Sequence, residues 1–111
     1  MDITVTQQGN VTVVALAGAM DVSEAEKASG VLNAQLRDGR TRLVADATQL
    51  EFVSSTGLRV FVQTLKEANR RGGDFRLAGA RPNLHKVLEI TGLTSLFKFY
   101  PDVNAAVASF A

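Results

Sequence analysis

The sequence predicts a mixed α/β (α+β) fold, with a four- to five-stranded mixed sheet and about four helices in the order β-β-α-β-α-β-α-(β)-α. Short apolar runs that alternate with polar residues, or that are rich in β-branched side chains, indicate strands. Longer segments whose apolar residues recur every three to four positions indicate amphipathic helices. Because most strands are connected through helices, we expect parallel pairing, right-handed crossovers and helices mainly on one face of the sheet.

The first two strands are predicted to pair as a hairpin. Ile3 and Val5 alternate with polar residues, which is the pattern of a half-buried strand. Gln8-Gly9-Asn10 is typical of a turn, and residues 11–16 form a second strand rich in β-branched side chains. Residues 18–21 interrupt the pattern, so we expect the strand to end before them.

The first helix is predicted to begin at a capping box. Ser23 is a good N-cap, and Glu26 follows three residues later. Apolar residues then recur with helical spacing: Ala25, Ala28, Val31, Leu32 and Leu36. We expect Gly39 to end this helix in the left-handed conformation.

The central part of the chain contains the third strand and the second helix. Residues 41–46 form a short apolar strand, and residues 47–53 are predicted to be a loop. After Gly57 the apolar side chains again follow helical spacing: Leu58, Phe61, Val62, Leu65 and Ala68. Residues 69–73 end this helix, and the negative end of the helix dipole explains the two arginines of its last turn.

The remaining segments complete the predicted order. Residues 75–78 form the fourth strand, and a third helix opens at residues 81–83 and closes at Gly92. A short extended segment, residues 96–100, precedes a last helix that starts at Pro101-Asp102. No internal repeat or linker interrupts this order.

Composition narrows the classes of function. Of the 111 residues, 46% are hydrophobic and 21% are charged, and the formal net charge is +1. This charge gives no electrostatic footprint for direct binding to nucleic acid or to a membrane. The sequence lacks a signal-peptide pattern, its most apolar stretch (residues 11–20) is too short to span a bilayer, and it contains no cysteine. We therefore expect one cytoplasmic domain, residues 1–111, that is a monomer or weak dimer without a cofactor.

The stretch FVSSTGLR, residues 52–59, places three hydroxyl side chains ahead of a predicted helix. Ser54 or Ser55 is expected to be the N-cap, which contributes about 1 kcal/mol. Gly57 costs about 1 kcal/mol relative to alanine, and we interpret it as clearance for another surface that approaches the helix end. A phosphate on Ser55 would meet the positive helix end and pair with Arg59, four residues later. These features favour an interaction switch controlled by phosphorylation.

Catalytic and metal-binding alternatives are weaker. A serine hydrolase would use Ser55 as nucleophile, His85 as base and Asp46 to orient the base. The G-x-S-x-G pattern of a nucleophile elbow is absent, and His85 is the only histidine. The carboxylates are scattered along the chain and form no ligand pattern, so we expect no metal site.

Three stretches resemble a known family. Residues 43–46 followed by residues 50–59, together with Ala17-Gly18-Ala19-Met20-Asp21, resemble the STAS domain and, within it, the bacterial anti-sigma factor antagonists. The resemblance implies one STAS-like domain that binds an anti-sigma factor and so releases a sigma factor. The partner it implies is a serine kinase of the histidine-kinase-like ATPase fold. This kinase would phosphorylate the antagonist and end binding, and a PP2C-type phosphatase would restore it.

The resemblance also assigns site residues. In the family's Asp-Ser-Ser/Thr-Gly form the acceptor is the first hydroxyl after the aspartate, which corresponds to Ser55. Ser54 stands in place of that aspartate, so Ser54 and Thr56 remain alternative acceptors. The residues implied to contact the partner are Asp21, Asp46, Ser54, Ser55, Thr56, Gly57 and Arg59. For the two aspartates, a role as loop caps at strand ends is an equal alternative.

A second function remains open within the same family. The chain would then be a structural or regulatory STAS subunit of a transporter or signalling complex, with no phosphorylation switch. Recovery of a transporter ATPase instead of a kinase in a pulldown would favour this alternative.

Overall fold

The computed structural model describes residues 1–111 and contains six strands and four α-helices. The strands are β1 (Asp2–Gln8), β2 (Val11–Met20), β3 (Arg42–Asp46), β4 (Leu50–Val53), β5 (Asp74–Ala78) and β6 (Phe99–Tyr100). The helices are α1 (Val22–Arg37), α2 (Ser55–Arg70), α3 (Pro82–Ile90) and α4 (Val103–Ala108), and a 3₁₀ turn covers Thr94–Leu96. The predicted order of elements is confirmed, with one additional strand, β4.

The strands form one mixed sheet in the order β1-β2-β3-β5-β6, with β4 beside the end of β2. β1 pairs antiparallel with β2, as predicted for the hairpin, and all other pairs are parallel. The carboxyl ends of parallel strands lie at one edge of a sheet. Since α1, α2 and α3 follow β2, β4 and β5, all three helices begin at this edge, which we call the carboxyl edge.

β4 corrects the prediction that residues 47–53 form a loop. β2 does not end before Gly18 but continues to Met20, and its register shifts between Gly18 and Ala19. Gly18 has a φ of +106°, which favours glycine, so the strand bends here instead of stopping. The last residues of β2 then pair with β4, and Met20 lies opposite Val53.

The larger part of the core lies between the sheet and the first three helices. Fully buried side chains from both layers fill it: Leu16, Leu32, Leu36, Leu43, Phe61, Phe75, Leu77 and Leu88. The rings of Phe61 and Phe75 lie 5.6 Å apart and join α2 to β5. This packing confirms that the helices lie mainly on one face. None of them has both the length and the apolar character needed to cross a bilayer.

α4 is the one helix on the opposite face of the sheet. Ala106 packs there with Val11, Val13, Val44 and Ala78. Arg76 of β5 fastens the end of the chain, because its guanidinium lies 3.9 Å from the ring centre of Phe110 and donates to the Ser109 hydroxyl at 2.7 Å. Both faces of the central strands are therefore covered.

Candidate functional site

The hydroxyl cluster lies at the carboxyl edge, where β4 ends and α2 begins. Ser54 is the N-cap of α2, and its hydroxyl accepts a hydrogen bond from the Gly57 N–H at 3.1 Å. The Ser54 N–H donates to the carbonyl of Met20 at 2.8 Å, which ties the start of α2 to the end of β2. The prediction of a serine cap is confirmed, and Ser54 is the serine that provides it.

The next two hydroxyls are free of hydrogen bonds. Ser55, the first residue of α2, is exposed, whereas Thr56 is half-buried, and neither side chain donates or accepts within the chain. Arg59 lies one turn further along the helix and is exposed, with no ion pair. Side chains four residues apart share a helix face. The start of α2 thus presents an accessible hydroxyl next to an unpaired guanidinium.

Gly57 is buried and serves internal packing. A Cβ at this position would lie 2.7 Å from Cγ1 of Val53 and 2.8 Å from Sδ of Met20. Both distances are too short for ordinary contacts, so any larger residue here would force the Val53 and Met20 side chains away from the first turn of α2. This packing corrects the interpretation of Gly57 as clearance for a docking partner.

Asp21 caps the neighbouring helix, α1. Its carboxylate accepts from the Glu24 N–H at 2.9 Å and from the Ser23 hydroxyl at 3.0 Å. The predicted Ser23 cap is therefore wrong, because the helix begins two residues earlier and Ser23 supports the cap instead. The Glu24 N–H, followed by the Ser23 hydroxyl, lowers the pKa of Asp21 below its ordinary value. The carboxylate stays ionised beside the start of α2.

Asp46 lies away from the hydroxyl cluster. It ends β3 opposite Ala15, five residues before Met20, which is about 16 Å along the strand. Its carboxylate accepts from the N–H of Thr48 at 3.1 Å and from its hydroxyl. In β3 it shares a face with Val44, which packs under α4, whereas α2 lies on the other face. The structure makes Asp46 a turn cap and does not bring it together with Ser55.

The hydrolase alternative has no assembled triad. The ring of His85 packs against Phe99, with centroids 4.5 Å apart, and forms no hydrogen bond with Ser55 or Asp46. The Asp46 carboxylate is already hydrogen-bonded to the Thr48 N–H in the turn after β3. A serine nucleophile needs its base within hydrogen-bond reach, and the Ser55 hydroxyl has none.

Two exposed apolar side chains near the cluster were missed from the sequence. Phe52 of β4 is 54% exposed, and Val22, the first residue of α1, is 56% exposed. The register places Phe52 beside Ala19, which is also exposed. Large apolar side chains left in water mark interaction surfaces when they cluster. The two central residues of the four-residue strand β4 are both exposed, so buried and exposed residues do not alternate along it. Its sequence pattern therefore could not identify Phe52 as an exposed side chain.

Replacement of the cap tests its role in positioning the cluster. We expect Ser54→Ala to lower the free energy of unfolding by about 1 kcal/mol, because the Gly57 N–H loses its acceptor. Ser54→Asp should stay near the wild type, since aspartate caps as well as serine and suits the positive helix end. Urea denaturation measures both, and equal stability of Ser54→Ala and wild type would contradict the cap.

Known proteins agree with this architecture. The family model for the STAS domain matches residues 2–106. A Bordetella bronchiseptica protein, BtrV, described as a candidate anti-sigma factor antagonist, is 31% identical over 110 residues, which are 99% of this chain and 95% of that protein. The crystal structure of an anti-sigma factor antagonist from Mycobacterium paratuberculosis is 28% identical, with a TM-score of 0.87 over 97% of this chain and 92% of that one.

A further likeness concerns the fold alone. The phosphorylated form of the Bacillus cell fate determinant SpoIIAA has a TM-score of 0.79 at 18% identity, over 99% of this chain and all (100%) of that one. The resemblance found in the sequence is thus matched by the family model, by a relative above 30% identity and by the arrangement of the strands. The chain belongs to the STAS domain family.

Proposed function

We propose that this chain is an anti-sigma factor antagonist whose binding is switched by phosphorylation of Ser55. Relatives described as anti-sigma factor antagonists support the first part. The observation that carries the second part is the exposed Ser55 hydroxyl, which has no hydrogen bond and stands at the first position of a helix. The structure of SpoIIAA, which shares the fold, has been solved in a phosphorylated form.

A phosphate on Ser55 fits the local structure. It adds about −1.5 to −2 charges at neutral pH, next to the N–H groups and the positive dipole end of α2. The unpaired Arg59, one turn away, provides a charge-assisted partner. Ser54 keeps its role as cap because its hydroxyl already holds the Gly57 N–H. The modification therefore leaves the fold intact and changes only the surface.

We place the partner-binding surface on Ser55, Thr56 and Arg59 of α2, flanked at the carboxyl edge by Phe52 at the end of β4 and by Asp21 and Val22 at the start of α1. The exposed Phe52 and Val22 provide apolar contact, and the ionised Asp21 provides charge. Interfaces of this kind depend on a few aromatic or arginine anchors. A doubly charged phosphate in the middle of such a contact must be desolvated, so the complex dissociates.

The partner is an anti-sigma factor that is also the serine kinase, with the histidine-kinase-like ATPase fold. When it is held by this chain, the sigma factor is free, and transcription from its promoters proceeds in the cytoplasm. Phosphorylation of Ser55 reverses this, and a PP2C-type phosphatase returns the chain to its binding form. In this cycle the chain is a substrate and binding module, and its partners perform the chemistry.

Phosphosite mapping tests the proposal. We expect the chain, captured with its partner from the native cells and incubated with ATP, to gain one phosphate at Ser55 by mass spectrometry. Ser55→Ala should remove this phosphate, whereas Thr56→Ala and Ser54→Asp should retain it. Full phosphorylation of Ser55→Ala would contradict the acceptor, and capture of a transporter ATPase without a kinase would contradict the function.

A further inference from the structure

A cluster of cations lies at the end of the molecule opposite to the carboxyl edge. The helices α1 and α2 end there, and β3 begins there. The cluster, which we call the basic surface, consists of Arg37, Arg40, Arg42, Lys66, Arg70 and Arg71. Two carboxylates, Asp38 and Glu67, lie among these six cations, so the difference is a net charge of +4. Asp74 at the same end is already paired with Arg76 and Lys98.

The basic surface contains two adjoining grooves. The first, of about 450 Å³, lies between the ends of α1 and α2 and is lined by Arg37, Lys66, Arg70 and Arg71. The second, of about 390 Å³, is lined by Arg40, Arg42 and Gly72. They meet at the consecutive residues Arg71 and Gly72. Leu36 is the one hydrophobic residue in the first groove, and the second has none, so neither suits an apolar ligand.

Several of these cationic side chains have no partner within the chain. Arg37, Arg42 and Lys66 form no ion pair or side-chain hydrogen bond. Arg70 and Arg71 both pair with Glu67, and these contacts lower the pKa of Glu67 to about 2. One ionised carboxylate therefore neutralises only one of the two guanidinium charges. The helix dipole accounts for cations in a last turn.

The dipole does not account for the whole cluster. Lys66 lies about one turn before the end of α2. Arg40 follows α1 in the turn toward β3, and Arg42 is the first residue of that strand. Charges drawn from four separate segments converge on one surface, which indicates an anionic ligand.

We propose that the basic surface binds an acidic segment of a protein partner, extended along the two grooves. The planar guanidinium group of arginine matches a carboxylate in geometry and in charge. An extended chain fits because the cations continue from one groove into the next. Binding of single-stranded nucleic acid relies on aromatic stacking, and neither groove contains an aromatic side chain. A membrane surface would require exposed apolar groups, which are absent from both grooves.

This contact is independent of the proposed phosphorylation switch. Ser55 and Arg70 are separated by fifteen residues of α2, which is about 22 Å. That distance exceeds the Debye length of about 8 Å at physiological salt, so a phosphate on Ser55 has little influence on the basic surface. An acidic segment therefore stays bound whether or not the carboxyl edge is occupied.

The test uses a fluorescein-labelled peptide of eight glutamates and the full chain at low salt. We expect saturable binding by fluorescence anisotropy, with amide shifts at residues 37–42 and 66–72 in NMR spectra. Arg37→Gln combined with Lys66→Gln should weaken binding about tenfold, since neither side chain supports the fold. The matched double variant Lys27→Gln with Lys86→Gln removes the same charge elsewhere and should bind like the wild type, as should Ser55→Asp.

Several results would overturn the proposal. These are no binding at low salt, equal weakening by the two double variants, or tighter binding of an eight-nucleotide single strand than of the peptide. Concentration-dependent dimers in sedimentation, lost only in the Arg37→Gln, Lys66→Gln variant, would show that a second copy of this chain occupies the surface instead. A loss of peptide binding in Ser55→Asp would contradict its independence from the switch, whatever that variant does to the anti-sigma factor.

Discussion

Ser55→Asp is expected to weaken binding to the anti-sigma factor by at least about thirtyfold, while the free energy of unfolding stays within about 0.5 kcal/mol of the wild type. The fold tolerates the carboxylate because the Ser55 side chain is exposed and makes no hydrogen bond. A negative charge at the first position of a helix is favoured by the dipole. Stability and binding should therefore respond in different ways to one substitution.

The loss of binding follows from desolvation. An unpaired charge inside an interface costs about 2–5 kcal/mol, and 2 kcal/mol corresponds to about thirtyfold in affinity. The new carboxylate also faces Arg59, and a pair between them would withdraw that guanidinium from the partner. Ser55→Ala, which adds no charge, should bind like the wild type but should no longer release the partner when ATP is added.

Ser95→Asp is the matched control for added charge. Ser95 is exposed in the 3₁₀ turn after α3 and makes no hydrogen bond, so its replacement should leave both binding and stability unchanged. Isothermal titration calorimetry gives the affinities, and urea denaturation gives the stabilities. Wild-type affinity of Ser55→Asp, or an equal loss in Ser95→Asp, would contradict a switch at Ser55.

The order of the elements could be predicted because each depends on its own sequence pattern. β4 could not, because its four residues form a strand only beside the end of β2, beyond the bend at Gly18. That pairing is a contact between distant parts of the chain, and no local periodicity reports it. The start of α1 was misplaced for a related reason. Asp21-x-x-Glu24 and Ser23-x-x-Glu26 both resemble caps, and only the end of β2 at Met20 decides between them.

The candidate site was predictable where chemistry is local. A serine before a helix predicts a cap, and four-residue spacing predicts that Ser55 and Arg59 share a face. Gly57 was misinterpreted because the space beside it is filled by Met20, thirty-seven residues away in sequence. Asp46 was expected near the same surface, but the register of β2 with β3 and β4 separates them. Strand register determines both the packing beside Gly57 and the position of Asp46, and it is a property of the whole sheet.

Gly73→Ala is expected to lower the free energy of unfolding by about 3 kcal/mol. Gly73 connects α2 to β5, and a Cβ there would lie within 2.5 Å of the backbone carbonyl of Thr41, in direct collision with its oxygen. That carbonyl accepts the Asp74 N–H at 3.0 Å, and the Gly73 N–H donates to Ala68 at 2.8 Å.

Neither backbone segment can move without breaking one of these hydrogen bonds, which is why the collision must disrupt the start of β5. The adjacent Gly72 has a φ of +84°, so Gly72 makes the turn and Gly73 makes the close approach. Two consecutive glycines in the sequence do not show which of them has which role.

Gly30→Ala is the control, and its change in stability should have the opposite sign. Gly30 lies within α1 with open space around it, so alanine should raise the stability by about 0.5–1 kcal/mol. Urea denaturation measures the stability of both variants. A Gly73→Ala variant within about 1 kcal/mol of the wild type would show that β3 and β5 can separate at this end. A loss of stability in both variants would contradict an explanation based on the contact of Gly73 with Thr41.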